Sequence, residues 1–351
     1  MYLDERCEMM GNTDFILDRE FFDQVYLRTF RNRYVLKTAI QFSITLPFQV
    51  PFPDCAVVSF PEENSILSYI FSETELEKEY TAGALEKKHS IKYSNTRVEM
   101  TLLSTKVFYV LSEKELSDIF NRLLKGLNSF LTAYIIKIKD INVYKVSKEM
   151  LEICCLWRRI NLDYFTTKEF GLFMLNNNVA HKKEVLNGVS QKEIMDYSIV
   201  IQDKANPFIL SEELMLSAKR SLTQGFYREC VINAQTSIET FLRTLFKECM
   251  KIEGLEDSEI QHRQQNTHFS SLVKKEFSRR LGGSWDVTNE RKEIGDWYKK
   301  CYELRNLIIH SGYDPSFLEV NQSLSAAINF RLFIRNRVEK SPKYKEILKF
   351  L

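Results

Sequence analysis

Past Pro207 the apolar residues recur every three or four positions to the end of the chain, whereas before Leu111 they tend to alternate. A period of two belongs to strands half-buried in a sheet, and a period near 3.6 to amphipathic helices. One chain of 351 residues therefore carries two kinds of core, and that length suffices for two domains. The expected fold is α+β: a mixed α/β domain over residues 1–205, followed by an all-α bundle over 206–351.

In the first half, Tyr34–Val50 (YVLKTAIQFSITLPFQV) is rich in β-branched and aromatic residues, and CAVVSF at 55–60 is a short apolar run closed by Pro61. Over Ile91–Leu111, Val98, Met100 and Leu102 alternate with Arg97, Glu99 and Thr101. Ser112 followed by Glu115 reads as a capping box, opening a helix with apolar positions 116, 119, 120, 123, 124, 127 and 131. The stretch 141–165 returns to strand, with short helices expected at 167–176 and 190–201. NNNVAHKKEVLNGVS at 176–190 reads as loop. Pro207 disfavours helical geometry at Asn206, which sets the boundary.

Beyond it, SEELMLSAKRSLTQ opens on a capping signature and is broken by Gly225. A helix over 226–250 buries Val231, Ala234, Ile238, Leu242 and Leu245. After the polar connection EGLEDSEIQHRQQNTH come a helix near 268–280, a break at LGGSWDVTN, a helix from about Glu290 to His310 and a last one over about 317–339. Short links between long helices imply a compact antiparallel bundle.

Seven cysteines, at 7, 55, 154, 155, 230, 249 and 301, form no zinc spacing, and their odd number suits a reducing compartment. The start, MYLDERCEMMGNTDF, lacks the apolar core of a signal peptide, and LNSFLTAYIIKI at 127–138 is too short to span a bilayer. A cytoplasmic protein with no membrane partner is expected. The net charge of +2 divides into 23 basic against 19 acidic residues from Ala205 onward and 26 against 28 before it, leaning toward an RNA-facing bundle. No Walker or GxGxxG loop is present, and no metal or cofactor is expected.

The chemistry concentrates in ELRNLIIHSG at 303–312. On a helix Asn306 and His310 share a face, Arg305 stands roughly 140° from His310, and Leu307, Ile308 and Ile309 belong to a buried surface. Two copies of this helix facing each other can bring both residue types to one pocket at a dimer axis. His310 lies near the negative helix end, which favours imidazolium and suits it to acid–base work on an RNA 2′-hydroxyl or 5′-oxygen. Arg305 can clamp a phosphate, and Asn306 can orient the histidine or bind ribose or phosphate. The same residues also suit a neutral helix-end cap.

Around them, Glu239 either pairs with Arg228 or another base, or supports the Arg305–His310 pocket. Tyr313 either packs in its loop or stacks on a base. His262 and His268 are expected in solvent, and His89 and His181 in solvated loops beside lysines. KKEFSRR at 274–280 reads as a charged helix face or an RNA-tracking one, and Cys154–Cys155 beside Trp157 as core.

The second half resembles a HEPN domain over about residues 208–340. Arg305, Asn306 and His310 match the Arg–polar–…–His motif that active members carry late in a helix. GFYREC at 225–230 and NAQTSIETFL at 233–242 are similar to the family's opening hairpin, with Glu239 in its acidic position and Cys230 where alanine is usual. The resemblance implies a metal-independent endoribonuclease acting as a homodimer and leaving 2′,3′-cyclic phosphate and 5′-hydroxyl ends. It also implies a role as toxin, abortive-infection factor or antiphage effector, with an activator or antitoxin acting on the amino-terminal half. The alternative is a non-catalytic HEPN-like module binding RNA, a nucleotide or a protein. A nucleotidyltransferase ranks last, because the paired acidic strand motif is missing.

Overall fold

The structure, a computed structural model, describes residues 15–30, 33–82, 87–178, 187–203 and 205–351. The chain divides into two units, Met1–Val179 and Ala180–Leu351, a mixed α/β region followed by a mostly helical one. The division precedes the 205/206 boundary expected from Pro207, so the helix Gly188–Gln202 falls in the second unit.

In the first unit, strands β1 (Thr38–Thr45), β2 (Ala56–Pro61), β3 (Ser65–Ala82), β4 (Lys87–Ser104), β5 (Cys154–Asn161) and β6 (Thr166–Met174) are described. They pair antiparallel in the order β2-β3-β4-β1-β5-β6. Register places apolar residues opposite one another on alternate positions: Ile40 faces Leu102, Phe42 faces Met100 and Tyr69 faces Met100. Helix α1 (Arg19–Phe21, a π-helical turn Phe22–Leu27, then Arg28–Phe30) contributes Phe22 and Tyr26 to a core with Ala39, Ile66, Ile70 and Leu103 on one sheet face. Helix α2 (Glu113–Ile138) covers the other, where the Phe42 and Phe120 rings meet edge-on at 5.2 Å.

The capping box starts α2 as its sequence requires: Glu115 N donates to Ser112 Oγ at 3.3 Å, and Ser112 N to Glu115 Oε2 at 2.9 Å. Its buried face is Leu116, Ile119, Phe120, Leu123, Leu124, Leu127 and Leu131, extended by Tyr134. Tyr69 donates to Leu123 O at 2.8 Å beside Gly126, where a Cβ would lie 2.1 Å from the phenol oxygen.

The second unit continues with α3 (Gly188–Gln202), α4 (Ile209–Thr223), α5 (Tyr227–Ile252), α6 (Asp257–Asn266) and α7 (Phe269–Ser271, a π turn Leu272–Glu276, then Phe277–Leu281). Helix α8 runs through Glu293–Trp297, a π turn Tyr298–Tyr302 and Glu303–Ser311, and α9 spans Phe317–Glu339. The five apolar residues foreseen on α5 are all fully buried, and Val231, Ile238, Leu242 and Leu245 each stabilise by roughly 1.5–3 kcal/mol relative to exposure. Trp297 of α8 stacks on Phe330 of α9 at 4.4 Å between centroids and donates to Gln235 Oε1 of α5 at 3.0 Å.

Several expectations are corrected. Residues 167–174 form strand β6, paired antiparallel with β5 from Cys154↔Met174 onward, rather than a short helix. The polar connection after α5 contains α6, anchored by buried Ile260. The strand expected to reach Leu111 ends at Ser104, with Tyr109 and Val110 exposed. Ser211 is no cap: it lies inside α4 and donates to Phe208 O at 2.8 Å. In KKEFSRR, Lys274, Lys275 and Arg279 face solvent, but Arg280 is buried against Glu253 and Glu276. Cys154, Cys155, Cys230, Cys249 and Cys301 are free thiols, whereas Cys55 is disulfide-bonded. Cys7 and His181 lie outside the described residues, as does the side chain of His89. Among the described residues no helix is long and apolar enough to cross a membrane.

Candidate functional site

The π turn at Tyr298–Tyr302 immediately precedes the Arg–Asn–…–His stretch, and one extra residue in that turn re-aims the side chains from Glu303 onward. Burial of Cys301 holds the turn in the core, and that burial pushes its thiol up to about 12. The Tyr298 and Tyr302 rings stack at 5.0 Å, and Tyr302 stacks in turn on Phe269 of α7 at 6.1 Å. The helix then resumes α geometry from Glu303 to Ser311, so Asn306 and His310 lie one turn apart on one face.

Arg305 does not stand alone on its own side. Its Nη1 reaches Asn306 Oδ1 at 3.2 Å, joining the two residues, while its Nε is buried without a hydrogen-bond partner among the described residues. His310 sits exposed in the last turn, and among the described residues no hydrogen bond or ion pair holds its imidazole. The apolar triplet departs from expectation: Ile308 is buried, but Leu307 and Ile309 are 49% and 46% exposed. Tyr313, Phe317 and Leu318, just beyond the helix end, are exposed as well.

The helix end is fixed from three directions. Gly312, at φ 64°, takes the left-handed conformation that closes α8, its N–H donating to Ile308 O at 3.1 Å. Arg228, in the first turn of α5, donates from Nη2 to Gly312 O at 2.8 Å, and its Nε lies 3.2 Å from Asp314 Oδ1. Tyr313 donates to Glu319 Oε1 at 2.8 Å, and Glu319 also accepts from Ser316 N at 2.8 Å in the capping box of α9. The hydrogen bond to Glu319 raises the Tyr313 phenol above its ordinary pKa.

Glu239 is half-buried and accepts from Gln235 Nε2 at 3.0 Å. The foreseen Glu239–Arg228 pair does not form, because Arg228 is engaged by Gly312 and Asp314. Glu239 instead belongs to the chain Glu239–Gln235–Trp297 that ties the start of α8 to α5. His262 and His268 are exposed, as expected. Sequence reasoning missed Asp314, 86 positions from Arg228, and Glu319, although Ser316 and Glu319 carry the spacing of a capping box. Among the described residues no group of three or more His, Cys, Asp or Glu is placed to hold a metal ion. Comparison with protein-family models, with curated proteins and with solved structures finds no match to this chain.

Proposed function

We propose that the chain is a metal-independent endoribonuclease of the HEPN type, cleaving RNA by attack of a 2′-hydroxyl on the adjacent phosphate. The observation that carries this reading is an exposed His310, unheld by any hydrogen bond or ion pair among the described residues, one helical turn from an Asn306 joined to Arg305. In the reaction a His310 imidazole accepts the 2′-hydroxyl proton. The 2′-oxygen bonds to phosphorus, the bond to the 5′-oxygen breaks, and that oxygen receives a proton from imidazolium. The products are a 2′,3′-cyclic phosphate and a 5′-hydroxyl. Acid–base help of this kind is worth about 10²- to 10⁴-fold in rate. Arg305, whose Nη1 reaches Asn306, binds the phosphate and stabilises charge developing on its oxygens. Asn306 holds that guanidinium toward the His310 face. Two copies meeting at the apolar surface of α8 form the working site, and the amino-terminal unit takes the regulatory signal.

The test is cleavage of total cellular RNA, in EDTA, by wild type and His310→Ala. Fragments ending in cyclic phosphate that vanish in the variant are expected. Equal cutting by both proteins would sink the proposal. Absence of cutting by both, in infected-cell extract as well, would favour the second reading, a binding module. That reading draws on the hydrogen bond by which Arg305 and Asn306 engage each other within one chain.

A further inference from the structure

On the sheet face that carries α1, residues Phe15, Ile16 and Leu17 run ahead of that helix without joining a strand. Among the described residues their backbone groups bond to no other backbone. They are held by side chains rising from neighbouring strands. Glu99 of β4, 0% exposed, accepts from Ile16 N at 2.6 Å and from Leu17 N at 3.4 Å. Gln41 of β1 donates to the same carboxylate at 2.8 Å and accepts from Arg158 Nε of β5 at 2.7 Å. Arg158 Nη2 donates to Leu17 O at 2.6 Å, and its guanidinium lies 4.2 Å from the centroid of the Phe15 ring. Arg97 Nη2 completes the set, 3.5 Å from Glu99 Oε1.

A carboxylate in mid-sheet is costly to bury unless it is hydrogen-bonded. Here burial raises the Glu99 pKa, while the Ile16 N–H, Arg97, the Leu17 N–H and Arg158 oppose the shift. The arrangement gives one carboxylate to two successive N–H groups, one guanidinium to the next carbonyl, and the same cation to an aromatic ring. Those are the means by which an extended peptide is read. A segment in a ladder is held by many backbone bonds, whereas this one rests on side-chain bonds and on the burial of Leu17, 1% exposed, and segments without ladder bonds open without global unfolding.

We infer that Glu99, Gln41 and Arg158 form a peptide-recognition site which residues 15–17 fill in cis. In trans it takes an extended partner segment in which an aromatic residue precedes two aliphatic ones. Displacement replaces each hydrogen bond with its equivalent, so the buried carboxylate is never left bare. The inference is independent of the reaction proposed for α8.

Amide exchange in the intact chain tests it, with and without excess acetylated peptide Phe-Ile-Leu-Asp-Arg-Glu. The Ile16 and Leu17 amides should exchange about 100-fold faster than those of Phe42 and Met100, and faster still with peptide present. The labelled peptide should bind the wild-type chain about tenfold more tightly than it binds Arg158→Gln. Replacing the peptide's phenylalanine by alanine should weaken binding equally, a control that leaves the protein unaltered. If Ile16 and Leu17 exchange no faster than Phe42 and Met100, the segment is a fixed part of the fold and the inference is overturned. It is overturned equally if the peptide fails to bind, or if it binds regardless of its aromatic residue.

Discussion

Arg228 anchors the loop that ends α8, two residues past His310, by donating to Gly312 O and lying against Asp314. Arg228 is half-exposed, which limits its contribution to stability to about 1 kcal/mol. Its effect on the proposed chemistry should be larger, since small displacements of a catalytic group cost rate steeply. Arg228→Ala is expected to lower kcat for RNA cleavage roughly tenfold while leaving KM and the melting temperature nearly unchanged. A lysine there should rescue little, because an ammonium does not reproduce the two-pronged contact. The Arg280 cluster behaves in the opposite way. The Arg280 side chain is 2% exposed and donates to Glu253 from Nε at 2.6 Å and Nη2 at 3.0 Å, while Tyr344 donates to Glu253 at 2.7 Å. Burial pulls the Glu253 pKa upward, but the hydrogen bonds from Arg280 and Tyr344 outweigh it and hold the carboxyl below its usual range. A depressed folded pKa contributes stability that is complete above the ordinary value of 4.5 and is lost as pH falls through the folded value. Glu253→Gln should therefore cost roughly 2–3 kcal/mol at pH 7 and much less in the acid limb, as read from urea midpoints across pH. Both arginines are visible in the sequence as charged residues near apolar runs, but the pairings Arg228–Asp314 and Arg280–Glu253 are not, since each spans a long stretch of chain.

Helix α8 depends on a glycine for its seat. At Gly295 an added Cβ would lie 2.1 Å from Asn289 O, 2.4 Å from Asn289 C and 2.8 Å from Glu290 N. All three are backbone atoms that cannot swing aside, unlike the phenol near Gly126. Alanine raises helix propensity by about 1 kcal/mol over glycine, but overpacking against backbone costs about 1–3 kcal/mol or more. The clash should win: Gly295→Ala is expected to be destabilising by roughly 1–2 kcal/mol and to impair cleavage by shifting α8. A neutral or raised urea midpoint would show that the 289–290 turn yields freely. The elements most legible in the sequence are those whose signals are local. Ser112–Glu115 with the apolar series from Leu116, and the face Val231–Leu245, need only neighbouring residues to be read. β3 is silent in the sequence because ETELEKEY looks like a solvated charged run. Its full-length pairing with β4, from Ser65↔Ser104 to Ala82↔Lys87, is a long-range fact. β6 reads as helix for the same reason, its alternation gaining meaning only beside β5. The π turn before Glu303 has no local signature, so the sequence places the right residues on a helix of slightly wrong course.

At the scale of the assembled molecule, the proposed site poses a question of which chain supplies which residue. Arg305 and His310 lie roughly 140° apart around α8, and Arg305 is tied to Asn306 of its own helix. Leu307 and Ile309, expected in the core, stand exposed beside them, the kind of surface an isologous dimer covers. If the partner helix brings its histidine to this chain's arginine, Arg305→Ala and His310→Ala chains should complement each other. In a mixed dimer one composite site then carries both substitutions and the other carries neither. Random pairing makes half the dimers mixed, each with one intact site, so an equimolar mixture should recover about a quarter of wild-type cleavage although each variant alone is inactive. If arginine and histidine act within one chain, every site in the mixture lacks one group and nothing is recovered. Leu307→Arg provides the matching physical control. Placed on an exposed position it should leave the melting temperature unchanged, abolish the dimer in light scattering and remove cleavage at the same concentrations. A Leu307→Arg chain that is monomeric and still cuts RNA would place both groups in one chain and refute the shared site, whatever the mixing experiment gave.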